Sequence, residues 1–173
     1  MEEQVILVDT NDQPIGLMEK MEAHEKGLLH RAFSVFVVND KGEVLLQKRA
    51  DSKYHSGGLW TNTCCSHPRD GEDIIAAGKR RLQEEMGFVV DLTYAYAFVY
   101  RAELDKGMTE HEYDHVMTGV YNGAPNPNPE EVGDWKYIAW DDLIEDMQQN
   151  PQDYTAWFRI IMQENADEIK KYL

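Results

Sequence analysis

Apolar and polar residues alternate along several short stretches of the chain, and this pattern predicts β-strands. The stretches are rich in β-branched and aromatic residues, which suit a half-buried sheet surface. Asn39–Val44 lies between two of them and contains the Asp and Gly residues of a hairpin turn. The predicted strands are Gln4–Asp9, Phe33–Asn39, Val44–Arg49, Leu92–Glu103, Tyr113–Tyr121 and Lys136–Trp140.

Two longer stretches have apolar residues at helical spacing. Asp73–Met86 is followed by Gly87, a residue that often ends a helix, and Tyr154–Tyr172 lies near the C-terminus. Between them, the proline-rich segment Asn122–Asp134 predicts a surface loop. Short strands around one strong central helix predict a single α/β (α+β) domain over residues 1–173, built as a sandwich with a mixed sheet.

The charge of the chain limits what it can bind. Its formal net charge is −15, and such a surface repels phosphate backbones, so we expect no nucleic-acid partner. An anionic substrate must then be held by a local basic cluster or by metal ions. We expect no membrane partner, because the longest apolar run, Phe33–Val38, is far shorter than the roughly 20 residues that span a bilayer. The acidic N-terminus does not resemble a signal peptide.

The two cysteines of the chain, Cys64 and Cys65, are adjacent. Neighbouring Cα atoms lie about 3.8 Å apart across a trans peptide, below the roughly 4.4–6.8 Å of an ordinary disulfide. A chain without a disulfide framework is typical of a reduced compartment, so we expect a cytoplasmic location.

Carboxylates occur at both ends of the segment that contains the predicted central helix. Glu72 precedes the helix, and Glu84 and Glu85 lie near its end. Carboxylate oxygens are hard ligands that suit Mg²⁺. Glu85 also lies four residues after Arg81, on the same helical face. The same acids therefore fit a solvated helix with ion pairs, and the residues alone leave both interpretations open.

A second acidic cluster occupies Thr109–His115, with the sequence TEHEYDH. If this segment is a strand, its acids share one face and His111, Tyr113 and His115 share the other. Adjacent carboxylates repel and raise each other's pKa, and a cation between them removes the problem. An exposed acidic strand is the alternative interpretation. The acids are Glu110, Glu112 and Asp114.

Three further histidines offer nitrogen ligands for such a cation. His24, His30 and His67 would complete a mixed nitrogen and oxygen metal site if they converged on the carboxylates. Sequence spacing does not establish convergence, and an isolated histidine is more often an ordinary surface or core residue.

Three motifs together resemble those of the type 1 isopentenyl-diphosphate Δ-isomerases, a family within the Nudix superfamily. They are Gly58–Pro68, which contains TNTCCSHP, with Ala76–Gly87 and Thr109–Val116. The resemblance runs from Leu7–His24 to Tyr154–Gln163. TNTCCSHP is specific to the family, whereas the helix motif belongs to the superfamily. The resemblance implies a Nudix-like α/β/α sandwich with a mixed sheet and a central catalytic helix.

The helix motif departs from that of the Nudix hydrolases. Glu72 and Arg80 are retained, but Ser66 replaces the opening glycine and Arg81 replaces a magnesium-binding glutamate. The isomerase family has the same arginine, where it meets the substrate diphosphate. This departure argues against the alternative function, a pyrophosphohydrolase acting on nucleoside-diphosphate derivatives. A non-enzymatic module with a structural metal cluster is a second alternative.

The resemblance implies an isomerase of isoprenoid biosynthesis that converts isopentenyl diphosphate to dimethylallyl diphosphate through a tertiary carbocation. It places Cys65 and Glu112 on opposite sides of a water-poor slot just wide enough for a five-carbon tail. Tyr100 would relay or orient the proton at Glu112, and Trp157 would stabilise the carbocation with its π-face. Cys64 would be a buried neighbour of the reactive thiol.

The resemblance also implies the ligands of the metal ions and of the substrate. The protein-bound ion, Zn²⁺ or Mn²⁺, would be held by His24, His30, His67, Glu110 and Glu112. Glu85 would help to hold a Mg²⁺ ion that bridges to the diphosphate, which would contact Lys20, Arg49, Lys53 and Arg81.

The segment His55–Gly57 departs from the tryptophan–proline–glycine sequence of many family members. We expect this change to alter the pocket rim without touching the proposed catalytic residues. The expected partner is a small diphosphate molecule, and we expect a monomer or a weak dimer.

Overall fold

The structure is a computed structural model, and it describes residues 3–173. This part of the chain contains β-strands and α-helices in the order β1 (Gln4–Val8), β2 (Pro14–Glu19), α1 (Lys20–Lys26), β3 (His30–Val38), β4 (Glu43–Arg49), β5 (Trp60–Thr61), β6 (Cys64–Ser66), α2 (Ile74–Met86), β7 (Thr93–Glu103), β8 (Thr109–Val120), β9 (Val132–Ala139), α3 (Trp140–Gln149) and α4 (Ala156–Lys170).

Strand β3 is the centre of the sheet. It pairs in parallel with β8 along its whole length, from His30 opposite Glu112 to Val38 opposite Val120. Its other edge pairs antiparallel with β1, β6 and β4 in turn. Strand β7 extends the sheet beyond β8, and β9 extends it beyond β4. The sheet is therefore mixed, as predicted.

Both faces of β3 are buried under helices. Phe33, Val35 and Val37 belong to the apolar cluster that contains Leu82 of α2. Phe36 and Val38 belong to a second cluster, which contains residues of α3 and α4. Because successive side chains of a strand point to opposite faces, a strand covered on both sides is apolar throughout. The predicted α/β/α sandwich is confirmed.

Helix α2 begins and ends where the sequence indicates. The Asp73 side chain accepts a hydrogen bond from the Ala76 amide at 3.0 Å, which caps the first turn. Gly87 ends the helix at φ +74°, and a Cβ atom there would lie 2.1 Å from the Asn126 carbonyl oxygen. Within the helix, Gly78 allows close packing, since a Cβ atom would lie 2.7 Å from Met117 Cε of β8.

The pattern of apolar residues did not predict five of the elements. Helix α1 has seven residues and is capped by the Glu19 side chain, which accepts from the Met21 and Glu22 amides. Glutamate is not among the residues that usually cap the N-terminus of a helix. Strands β5 and β6 have only two and three residues, too few for a periodic pattern. The elements not predicted are α1, α3, β2, β5 and β6.

Several strand boundaries also differ from the prediction. Strand β3 begins at His30 and β8 at Thr109, earlier than the apolar patterns indicate, because polar site residues occupy these strand starts. Strand β9 begins at Val132, so the end of the predicted loop is strand, and Trp140 belongs to helix α3. Within residues 3–173, no helix is both long and apolar enough to cross a membrane.

The packing of α2 on the sheet predicts a large stability difference between two leucine substitutions. Leu82 is fully buried, whereas Leu17 on β2 is 44% exposed. We expect Leu82→Ala to lower the free energy of unfolding by about 2–5 kcal/mol, since it leaves a cavity. Leu17→Ala, the matched control, should cost less than about 1 kcal/mol. Urea unfolding followed by circular dichroism measures both, and equal losses would contradict the packing described.

Candidate active site

The two adjacent cysteines point to opposite faces of the sheet. Cys64 is fully buried in the cluster under α2, and its Sγ donates a hydrogen bond to Glu85 Oε2 at 3.0 Å. Cys65 pairs with Ser34 of β3 and packs against the cluster on the other face. The alternation of strand β6 therefore gives the two thiols different environments.

Cys65 and Glu112 share one cavity. Its volume is about 30 Å³. The expectation that Cys65 and Glu112 line a common slot agrees with this geometry. The width of the slot stays a prediction. The lining residues are Arg49, Tyr54, His55, Cys65, Ser66, His67, Glu110, Glu112 and Trp157.

The polar neighbours of Cys65 are acceptors. Its Sγ donates to Asn62 Oδ1 at 2.9 Å, and the Asn62 amide nitrogen is held by two backbone carbonyls. Ser34 Oγ lies 3.7 Å from the sulfur and donates its own hydrogen to Asp114 Oδ2 at 2.7 Å. Desolvation, with the Asp114 carboxyl nearby, raises the pKa of the Cys65 thiol. These contacts hold Cys65 in its protonated form.

The three acids of β8 lie on one face of the strand, as the alternation predicts. Glu110, Glu112 and Asp114 are buried, and the intervening side chains are half-buried on the other face. Burial and the neighbouring Glu112 raise the pKa of both Glu110 and Asp114. Burial alone would raise the pKa of Glu112, but hydrogen bonds from His30 and His67 outweigh it and lower the pKa.

The three histidines converge on these acids. His30 Nε2 and His67 Nε2 lie 3.0 and 2.9 Å from Glu112 Oε2. The Nδ1 atoms of His24 and His30 donate to backbone carbonyls at 2.7 and 2.8 Å. Carbonyl oxygens only accept, so Nδ1 of each ring carries a hydrogen, and Nε2 faces the site either with a second proton or with a lone pair for a cation. Lone pairs and carboxylates that face one another need a positive charge between them.

This arrangement fits a divalent metal ion. One ligand atom each from His24, His30, His67 and Glu112 lie within 4.8 Å of one another. Opposite ligands of an octahedral ion are about 4.2 Å apart when its bonds are about 2.1 Å long. Burial lowers the pKa of His67 to about 4, which leaves the ring neutral and able to bind a metal. Glu110 Oε1 lies 3.8 Å from His24 Nε2, beside this group.

Tyr100 contacts both carboxyl groups of the site. Its buried hydroxyl forms hydrogen bonds with Glu110 Oε2 and, at 2.6 Å, with Glu112 Oε1. A phenol has one hydrogen to donate, so the second contact uses a proton that one of the carboxyl groups holds. Burial, together with the two acids, raises the pKa of Tyr100 well above its ordinary value. Tyr100 therefore remains a hydroxyl that can pass a proton between its partners.

Four cationic side chains lie near one another, three around the ring of Tyr54, which lines the cavity, and one beside the carboxylate of Glu131. The side-chain charges of Lys20, Arg49 and Lys53 lie 4.5, 5.8 and 5.6 Å from the centre of the Tyr54 ring. Lys53 bonds to Glu131, and Arg81 Nη2 lies 3.5 Å from the same carboxylate. The residues predicted to bind a diphosphate are thus close together in an otherwise acidic protein.

Two other predicted site residues have different surroundings. Glu85 lies outside the histidine group, and its carboxylate accepts from Cys64 and from Gln47. Its role as a Mg²⁺ ligand stays a prediction. Trp157 lines the cavity, with the guanidinium carbon of Arg49 5.1 Å from the centre of its ring.

The segment His55–Gly57 lies deeper in the site than the expected pocket rim. His55 is 1% exposed, and its Nε2 lies 3.5 Å from Glu110 Oε1. Its ring centre lies 5.5 Å from that of Trp157. Arg49, which lines the cavity, donates hydrogen bonds to the His55 carbonyl. These bonds hold the segment at the site.

Ser34 and Asn62 were missed as site residues, although both contact Cys65. Asn62 lies within the TNTCCSHP motif, so the motif itself was a signal. Strand alternation places Asp114 on the acidic face of β8, but nothing in the sequence indicates a role for it in the site. Ser34 lies in a strongly apolar strand, where one buried hydroxyl is a weak signal for a site.

Comparisons with known proteins identify the family. The model of the NUDIX domain matches residues 28–158. An isopentenyl-diphosphate Δ-isomerase of Serratia proteamaculans is 46% identical over 173 residues, covering 99% of this chain and 97% of that protein. Isopentenyl-diphosphate Δ-isomerase 1 of Aromatoleum aromaticum is 52% identical, covering 91% and 89%. The chain belongs to the type 1 isopentenyl-diphosphate Δ-isomerases.

Solved structures support the Nudix fold of this isomerase family member. A Deinococcus radiodurans protein superposes with a TM-score of 0.71 at 16% identity, covering 86% of this chain and 90% of that one. A MutT protein of Methanosarcina mazei gives 0.66 at 16% identity, covering 82% and 96%. At such low identity the likeness extends to the fold alone.

The acceptor environment of Cys65 predicts an unusual pH dependence of its reactivity. Because its pKa is raised, the thiolate forms only at high pH, and thiolate is the form that reacts. We expect the iodoacetamide alkylation rate of Cys65 to keep rising through pH 10. Free cysteine, the control, should level off above its pKa of about 8.5. Mass spectrometry of the Cys65 peptide measures the rate, and a plateau below pH 8 would contradict the raised pKa.

Proposed function

We propose that this chain converts isopentenyl diphosphate to dimethylallyl diphosphate in isoprenoid biosynthesis. Relatives that carry the isomerase name are 46–52% identical over most of both lengths. The observation that carries the chemistry is the cavity shared by Cys65 and Glu112. Moving a double bond requires one proton added at the terminal alkene carbon and another removed from the far side of the tertiary cation. Two proton-transfer groups on one enclosed cavity suit that task.

Cys65 supplies the first proton in this proposal. Its sulfur donates to Asn62 and has a second acceptor, Ser34, nearby, so the thiol holds its hydrogen until the alkene is in place. Transfer of that hydrogen to the terminal carbon leaves a thiolate and a tertiary carbocation. Glu112, as a carboxylate, then removes a proton from the neighbouring CH₂ carbon. Proton exchange with solvent restores both groups for the next turnover.

Tyr100 and Trp157 assist these proton transfers. Tyr100 bonds to Glu112 Oε1, which supports a role in orienting the carboxylate or in relaying its proton. Trp157 is 2% exposed and lines the cavity. An aromatic face stabilises a desolvated cation by about 2 kcal/mol or more, and each 1.36 kcal/mol of barrier is roughly tenfold in rate.

The protein-bound ion is Zn²⁺ or Mn²⁺ in this proposal. The convergence of neutral imidazoles on buried carboxylates supports it, and such an ion supplies positive charge that keeps Glu112 deprotonated. A Mg²⁺ ion accompanies the diphosphate, with Glu85 nearby. The proposed ligands of the protein-bound ion are His24, His30, His67, Glu110 and Glu112.

The diphosphate is held by Lys20, Arg49, Lys53 and Arg81. Lys20 pairs with Glu3, whose side chain is 50% exposed, so a diphosphate can replace that partner at little cost. Arginine suits this role because its planar group forms paired hydrogen bonds with phosphate oxygens.

A Nudix pyrophosphohydrolase is less well supported. The acids of α2 and of the segment just before it, which a hydrolase would offer to metal ions, are engaged in this chain. Glu72 accepts two hydrogen bonds from Arg80, Glu84 pairs with Arg80 and Arg81, and Glu85 accepts from Cys64. The relatives named above are isomerases.

Other features of the protein remain predictions from its sequence. They are a single domain over residues 1–173, a monomer or weak dimer, a cytoplasmic location, and the lack of nucleic-acid and membrane partners. A small diphosphate substrate agrees with the family and with the cationic side of the cavity.

The deciding experiment for the activity is incubation with isopentenyl diphosphate and Mg²⁺, followed by an acid-lability assay for the allylic product. We expect product from the native protein. Cys65→Ala and Cys65→Ser should lower kcat by about 10²–10⁴-fold or to background, since each removes the proton donor. Cys64→Ala, the matched control, should stay within about tenfold of the native kcat because Cys64 faces the opposite side of the sheet. Release of phosphate or pyrophosphate without allylic product would favour the hydrolase instead.

Removal of the metal ion distinguishes the proposed enzyme from a non-enzymatic module in which the metal ion is structural. With apolar clusters on both faces of the sheet, the chelated protein should lose activity and keep most of its circular dichroism signal. Adding back Mn²⁺ or Zn²⁺ should restore activity. Outright unfolding on chelation would indicate that the ion is needed for folding, as in small zinc domains.

A further inference from the structure

Two buried imidazole nitrogens at the site lack hydrogen-bond partners. They are Nε2 of His24 and Nε2 of His55, and neither finds a donor or acceptor among residues 3–173. Both rings are almost completely buried. Buried polar atoms in native proteins are nearly always satisfied, so an unpaired one calls for a missing partner. Two such atoms in one site indicate a shared partner.

Both nitrogens face the same carboxylate oxygen. Glu110 Oε1 lies 3.5 Å from His55 Nε2 and 3.8 Å from His24 Nε2, which is too long for hydrogen bonds. The three atoms lie within 4.8 Å of one another, the spacing of ligands around a common ion. His55 Nδ1 lies 3.1 Å from Ser56 Oγ, which can accept its hydrogen. In that tautomer the Nε2 lone pair faces Glu110.

The possible metal ligands fall into two groups, one with His24, His55 and Glu110 and one with His24, His30, His67 and Glu112. The two groups form one metal site. His24 belongs to both groups. Its Nδ1 donates to the Lys20 carbonyl, so Nε2 is its single available donor atom. One nitrogen lone pair binds one ion. The ligands of both groups therefore surround the same ion.

We propose that His55 is a sixth protein ligand of this ion, an inference that rests on the metal site of the proposed function. The ligand set then has four imidazole nitrogens and two carboxylate oxygens. Six protein ligands fill an octahedral shell, and this excludes a tetrahedral zinc geometry. The ion is thereby closed to water and to the diphosphate, and it acts on the reaction through its charge and through the position of Glu112.

Water-proton relaxation of the Mn²⁺-loaded protein tests the number of open positions on the ion. A filled shell has no inner-sphere water, so the native protein should give a low relaxation enhancement. His55→Ala should open one position, admit a water molecule and raise the enhancement. It should also weaken Mn²⁺ binding by at least about tenfold, as the loss of even an outer-shell partner does, measured by electron paramagnetic resonance of free Mn²⁺.

His111→Ala is the matched control, since His111 is half-buried on the opposite face of β8. It should change neither the relaxation enhancement nor the Mn²⁺ affinity. Should His55→Ala fail to fold, His55→Gln keeps much of the side-chain volume and is measured in its place. It should bind Mn²⁺ more weakly than the native protein does.

The outcomes separate this inference from the proposed function. Unchanged Mn²⁺ affinity and relaxation in the His55 variants, with native Mn²⁺ binding intact, overturn the role of His55 alone. A high enhancement in the native protein, from inner-sphere water, overturns the filled shell. If the native protein binds no divalent ion at all, the metal site and the inference both fail, whereas product formation tests the isomerase activity separately.

Discussion

The site depends on the parallel pairing of β3 with β8 in one register. This pairing sets His30 opposite Glu112, and β6 then sets Cys65 opposite Ser34 on the other edge of β3. Because strand side chains alternate, a slip of one residue would turn the acids of β8 away from the histidines. The apolar residues of β3, packed on both faces under helices, make such a slip costly.

This register brings together groups that repel one another without a cation. Glu110 and Glu112 are each 6% exposed, and the Nε2 atoms of His30 and His67 lie within hydrogen-bond distance of Glu112. Burying a charge is expensive unless it is paired, so the rest of the fold must hold these groups in place. The apolar clusters on the two faces of the sheet supply that stability. The polar groups of the site can therefore be arranged for chemistry rather than for folding.

Much of the framework could be read from local pattern. The boundaries of α2 follow from Asp73 and Gly87, and the face of β8 that carries the acids follows from simple alternation. The pattern failed where elements are short or held by tertiary contacts, as in α1 and β6. The pattern also placed the beginning of β3 too late, because the strand begins with the polar residue His30.

By itself, the sequence determined the sandwich, the acidic face of β8 and the family to which the chain belongs, since periodicity and specific motifs are local properties. Only the tertiary structure decided that Cys64 and Cys65 have separate environments and that Asn62 and Ser34 lie beside the Cys65 sulfur. It also placed His55 beside Glu110 and Trp157 rather than on the expected rim. Such distances depend on strand register and on how a loop packs, and residues far apart in the chain fix both.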